Sequence, residues 1–166
     1  MLQAGASLTF HGNQQSPVLS LLDLYRKFGF HFDHIYAYEF NPQPADQVFA
    51  MVPKEYEAAY HWINVGVTSD EGSRTNPFNL LMDNYNEDDL VIVKLDVDSP
   101  VLERQLAEQL RTNPKLAKLI DHFYFEHHVN SIEMWGHWGE TLESVEDSFQ
   151  LFHGLRQKGV ASHFWV

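Results

Sequence analysis

The chain of 166 residues contains no cysteine. Disulfide staples, thiolate metal sites and cysteine nucleophiles are excluded with it, and the redox compartment leaves no mark on the sequence. Basic residues are scarce as well. Eleven Lys and Arg stand against 23 Asp and Glu, a formal net charge of −12. Phosphate backbones and acidic lipids are held by clustered Lys and Arg, so neither nucleic acid nor an anionic membrane is an expected partner. No apolar run approaches the roughly 18 residues needed to span a bilayer, and a soluble chain is expected. The opening residues MLQAGASLTF have no basic stretch leading into a long apolar one, and so do not read as a signal or transit peptide. Internal repeats, low-complexity tracts and dividing linkers are also missing, so one domain over residues 1–166 is expected. What the chain does have is core material: 44% hydrophobic and 14% aromatic residues, enough to close around a single core.

Short apolar runs alternate with helix-period segments, the pattern of a parallel sheet covered by helices. The first helix is expected to start at Ser16 as cap and Pro17 in the first turn. Val18, Leu21, Leu22, Tyr25 and Phe28 would form its apolar face, and Gly29 would stop it. Strands are expected over 34–39, 61–67, 90–96, 122–128 and 160–166. A proline-punctuated segment, 41–53, leads to a short helical piece over 54–60. Residues 68–89, rich in Ser, Asn, Asp and Gly, read as one long irregular connection. Ser99 and Pro100 open a helix with Leu102, Leu106 and Leu110 at four-residue spacing, and Asn113-Pro114 starts another turn or two. A last helix over 144–158 would bury Val145, Phe149, Phe152 and Leu155. The expected fold class is α/β, Rossmann-like, with a mainly parallel sheet and helices on both faces.

In open parallel sheets, ligands bind beyond the carboxyl ends of the strands. Glu39, Asn64, Asp96 with Asp98, and Glu126 with His127 and His128 fall at four successive expected strand ends. One polar strand end is ordinary, because strand ends meet water; four in succession suggest a functional rim. A carboxylate after the second strand can accept hydrogen bonds from both hydroxyls of a ribose, which makes Glu39 the leading candidate for a cofactor contact. Along 93–98, side chains alternate, so Lys94, Asp96 and Asp98 share one parity and Val93, Leu95 and Val97 the other. The apolar set is expected under a helix and the charged set at the carboxyl end, with Asp96 in a crevice shared with Glu39 and Glu126. Lys94 should pair with Asp96 or Glu126, because a lone buried ammonium is costly. A salt bridge that merely closes the sheet rim is the competing reading.

Glu126, His127 and His128 with Asp96, and His137 between Trp135 and Trp138, have metal-ligand chemistry. They lack a spacing such as H-E-x-x-H, so they are read as hydrogen-bonding residues and no metal site is assigned. The MWGHWG stretch, 134–139, reads as a packed lid over the strand ends.

The stretches IYAYEFNP (35–42), WINVGV (62–67), VKLDVDS (93–99) and FYFEHH (123–128), in that order, resemble the FkbM-type S-adenosylmethionine-dependent methyltransferases. The similarity is greatest to methyltransferase-like proteins of algae and plants, and covers nearly the whole chain from Gly5. It implies S-adenosylmethionine as cofactor, Glu39 as the ligand of its ribose, and Lys94, Asp96 and Asp98 as the lower wall of the site. Gly5, Ala6 and Ser7 stand in place of the family's glycine loop after a first strand that is shortened, and Asn64 completes the expected cofactor set. O-methylation of a small molecule or sugar is the implied reaction. Asp96 or His127 would act as base, Lys94 would belong to the catalytic set, and Asp98, Glu126 and His128 would line the acceptor rim. A sulfonium is already a strong electrophile, so alignment and removal of one proton are the main tasks. The alternative is a catalytically inactive methyltransferase-like subunit that binds protein partners in a larger assembly, a reading suggested by the short first strand.

Overall fold

Proline fixes φ near −65° and lacks the N–H that the first turn of a helix leaves unbonded, so it favours helix starts. In the computed structural model, which describes residues 1–7 and 17–165, the helices are α1 (Pro17–Lys27), α2 (Ala45–Met51), α3 (Pro77–Asn84), α4 (Pro100–Thr112), α5 (Pro114–Leu119), α6 (Trp135–Trp138) and α7 (Val145–Gln157). Pro17, Pro77, Pro100 and Pro114 each open one. Side chains complete several of these starts. Asn76 accepts from the Phe78 N–H, and Asn113 from those of Lys115 and Leu116. Ser144 and Asp147 form a reciprocal capping box at α7. Ser16, the expected cap of α1, lies outside the described residues, as do the side chains of Val18, His137 and Trp138.

The strands are β1 (Leu2–Ala4), β2 (Ile35–Tyr38), β3 (Tyr60–Ile63), β4 (Ile92–Leu95), β5 (His122–Phe125) and β6 (Ala161–Phe164). Strands pair in parallel and alternate with helices, so the fold class is α/β and Rossmann-like. The chain divides into two compact units, Met1–Val67 and Thr68–Val166. No described helix is long and apolar enough to cross a membrane.

In the first unit β2 lies between β1 and β3, with Ala37 opposite both Gln3 and Trp62. Leu2, Ile35, Ala37, Val48 and Tyr56 are buried. On α1, Leu21, Leu22 and Tyr25 face inward as expected, whereas Phe28 is 72% exposed because it lies past the last helical residue. Gly29 does end this helix, at φ +85°. Its N–H donates to the Arg26 carbonyl and that of Phe30 to the Tyr25 carbonyl, the paired closure that a left-handed residue permits. Helix α2 forms inside the proline-punctuated segment 41–53, while 54–56 make a single 3-10 turn. β3 starts at Tyr60 and stops at Ile63, so Asn64 to Val67 lie beyond it.

In the second unit β5 lies between β4 and β6, with Lys94 opposite Tyr124 and Tyr124 opposite His163. Phe125 and Phe164 pack on Phe152 of α7, at ring separations of 6.2 and 4.0 Å. The buried residues of α7 are Ser148, Phe152 and Leu155, while Val145 and Phe149 are exposed. Helix α3 occupies the middle of the stretch expected to be one long irregular connection. On α4 the buried stripe is Glu103, Leu106, Ala107 and Leu110, with Leu102 only half-buried. Each unit also carries the same aromatic device: His34, Tyr36 and His61 stack across β2 and β3, and His122, Tyr124 and His163 across β5 and β6. The correspondence is too short to register as a sequence repeat.

Candidate functional site

In the first unit the chain leaves β2 through Glu39, which is 5% exposed. Its Oε1 accepts from the Asn41 N–H at 2.8 Å. Asn64, just past β3, donates from Nδ2 to the carbonyls of Glu39 and Asn41 at 2.7 and 2.9 Å, and accepts at Oδ1 from the Gln43 N–H at 3.2 Å. The Asn64 amide is therefore committed to the turn after β2. It bonds the backbone of Glu39 directly, beside the carboxylate expected at the cofactor. Gly5 follows β1 at φ +82°, a conformation that favours glycine. The N–H groups of Gly5 and Ala6 both donate to the Tyr38 carbonyl, at 3.0 and 2.9 Å, and Ser7 follows half-buried. This loop is thus tied to the end of β2. Within β1, Gln3 is fully buried and neither of its amide atoms has a hydrogen-bond partner among the described residues.

The second unit gathers the remaining candidates, and strand alternation sorts them. Lys94 is completely buried, and its Nζ forms an ion pair with Asp96, one of the two partners expected. The same Nζ lies 5.2 Å from the centroid of the Trp165 ring, which gives the ammonium a second favourable contact. Burial pushes the Lys94 ammonium below its ordinary pKa, and Asp96 opposes that shift. Glu126 follows β5, and its N–H donates to the Leu95 carbonyl at 3.3 Å. Burial, then a hydrogen bond to Asp96 and the charge of that residue, push the Glu126 carboxyl up to about 7.

His128 comes next on the same parity and is buried. Its Nδ1 lies 2.6 Å from Oε2 of Glu103, which is 1% exposed, and its Nε2 lies 3.9 Å from Oε2 of Glu126. Oε1 of Glu103 accepts from the Val97 N–H at 2.9 Å. Burial alone would lower the His128 pKa, but the hydrogen bond to Glu103 and the nearby charges of Glu103, Glu126 and Asp98 hold it above its ordinary value. Asp98 is exposed and sits at φ +53°, beside Glu126 and His128.

His127 does not join this cluster. Its parity is that of Phe125, on which its ring stacks at 5.1 Å, so it lines a cavity of about 800 Å³ with Arg104, Glu143, Asp147 and Gln150. Its pKa is lowered, first by burial and then by the charge of His128. His127 was expected as an alternative base to Asp96; it lies past the end of β5, in the cavity lined by α7. The 134–139 stretch follows a 3-10 turn over 132–134 and forms the short α6, with Trp135 partly exposed and its Nε1 donating to Asn130 at 2.8 Å.

Glu103 was absent from the sequence-based site, although it carried a readable signal. At 103, 106, 107 and 110 it falls on the apolar stripe of α4, where an acid needs a buried partner. Trp165 and Gln3 carry no such signal. Comparison of the chain with protein-family models, with curated proteins and with solved structures gives no match.

Proposed function

We propose that this chain is an S-adenosylmethionine-dependent methyltransferase-like protein whose first unit binds the cofactor and whose chemistry is O-methylation of a small molecule or sugar. The observation that carries this reading is Glu39. A buried carboxylate at the carboxyl end of β2 has one oxygen fixed by Asn41, within a turn that Asn64 braces. With Oε1 fixed, the direction of Oε2 is set in advance, as an acceptor for the hydroxyls of a ribose requires. Gly5, Ala6 and Ser7 form the loop tied to the same strand end.

O-methylation also requires a group that takes up the acceptor's proton. A general base works best with a pKa near the operating pH. The groups proposed for this role are Asp96, whose carboxylate is paired with Lys94, or His127, which burial keeps toward the neutral form.

A second reading rests on a specific observation. The N–H groups of Gly5 and Ala6 are bonded to Tyr38, so they are not presented to a ligand. That favours an inactive subunit that keeps the fold for interaction with protein partners. Titration calorimetry with S-adenosylmethionine separates the two. Wild-type protein should bind, and Glu39→Ala should lose about 2–4 kcal/mol of affinity with its circular dichroism unchanged, since charge-assisted hydrogen bonds are removed. Equal binding by variant and wild type would remove Glu39 from the site, and no binding by wild type would leave the inactive subunit.

A further inference from the structure

We infer that Asp98, Glu126 and His128 form a binding site for a divalent metal ion of the manganese or zinc class, with Glu103 as its outer support. Each of the three offers one ligand atom, and these atoms all lie within 4.8 Å of one another. Ligands on one ion at about 2.0–2.2 Å are themselves no more than about 4.4 Å apart. Asp98 is the exposed member of the trio, so its side chain has room to adjust to an ion.

The independent support lies outside the trio. Glu103 is buried on α4, and its two oxygens are used separately: Oε1 accepts from the Val97 N–H and Oε2 faces His128 Nδ1 at 2.6 Å. A carboxylate only accepts, so Nδ1 carries the hydrogen and the metal-binding lone pair of a neutral ring is on Nε2. Nε2 is the atom on the side of Glu126. Metal-binding histidines typically give their other N–H to a carboxylate in this way, which fixes both tautomer and ring orientation. A second carboxylate, Glu126, thus stands at the nitrogen opposite the one that Glu103 holds, with Asp98 in the same cluster.

Charge balance points the same way. Asp96, Asp98, Glu103 and Glu126 are gathered around one ammonium, Lys94, and one imidazole, and Lys94 is bound to Asp96. A divalent ion would neutralise Asp98 and Glu126. One nitrogen and two carboxylate oxygens, with no sulfur, suit manganese or zinc, and three protein ligands leave positions for water or for an oxygen of a substrate. The site belongs wholly to the second unit, so it stands whether or not the first unit binds S-adenosylmethionine.

Titration of the intact chain with Mn²⁺, followed by loss of the free-ion electron paramagnetic resonance signal, tests it, with Zn²⁺ as competitor. One ion per chain should bind, and the imidazole resonances of His128 should broaden selectively. Asp98→Asn keeps a residue type that tolerates φ +53°, and should weaken binding at least tenfold with an unchanged circular dichroism spectrum. Glu103→Gln removes no ligand and should weaken binding about 10- to 100-fold through the orientation of His128 alone. Absence of stoichiometric binding of both ions, or binding that Asp98→Asn and Glu126→Gln leave unchanged, overturns the site and makes the trio a salt-linked closure of the strand ends.

Discussion

The ammonium of Lys94 is shut away from water and rests on the carboxylate of Asp96, two residues further along the chain. Removal of one member of a buried ion pair strands the other, at a cost of about 3–5 kcal/mol. Asp96→Ala is therefore expected to destabilise the fold by that amount in urea unfolding near neutral pH. The double variant Lys94→Met/Asp96→Asn should recover most of the loss, because no buried charge is left without a partner. A single variant as stable as wild type would show that Trp165 and Glu126 alone satisfy Lys94. Activity measurements on Asp96 variants need this stability control, since the residue supports the strand as well as the rim.

Stability should fall as pH rises from about 4.5 through about 7, on account of Glu126. The sign follows from linkage: its folded pKa is raised, so the folded state holds the proton more tightly and gains most below the unfolded value of 4.5. That gain is lost as the pH passes through about 7. His128, also raised, acts in the same sense as pH climbs above its ordinary value of 6.5. Thermal melts over this range should show the decline, and Glu126→Gln should flatten it. A wild-type profile that rises across the interval would contradict the environment assigned to Glu126 between Asp96 and His128.

Asn76 links three parts of the second unit. It caps α3 at the Phe78 N–H, and its Nδ2 donates to Gln109 Oε1 at 3.0 Å and to the Asp70 carbonyl at 3.3 Å. Asn76→Ala loses the cap and leaves buried polar partners unbonded, for an expected cost of about 2–4 kcal/mol in urea unfolding. Asn76→Asp keeps the cap but not the donor, and should fall between the two. A cost for Asn76→Ala below that of an exposed cap would mean that Gln109 finds another partner.

Much of the fold is legible because helix starts are chemical. Asn113-Pro114 marked α5 in advance, and the same pair at Asn76-Pro77 starts α3, yet the polar composition of residues 68–89 concealed it. Helix α2 was hidden for a similar reason. Prolines punctuate 41–53, yet Pro44 is the cap of α2 and Pro53 comes just after its end. Alternation along 93–98 put Lys94 on the side of the acids and left Asp96 or Glu126 as its partner, of which the structure has Asp96; applied to 125–128 it also separates His127 from Glu126 and His128. The contacts of Asn64 depend on where β3 stops, and no residue near Ile63 signals that.

The segment after Phe125 behaves like a reading frame in space. Glu126 and His128 are read on the side of Asp98, and His127, between them, on the side of the α7 cavity. One residue inserted or deleted just before Glu126 would exchange the two readings, since a shift by one turns every side chain over. His127 would then move among the acids, and Glu126 with His128 would face Arg104 and Asp147. A single substitution in this short run touches one environment, whereas a change in its length would dismantle two at once.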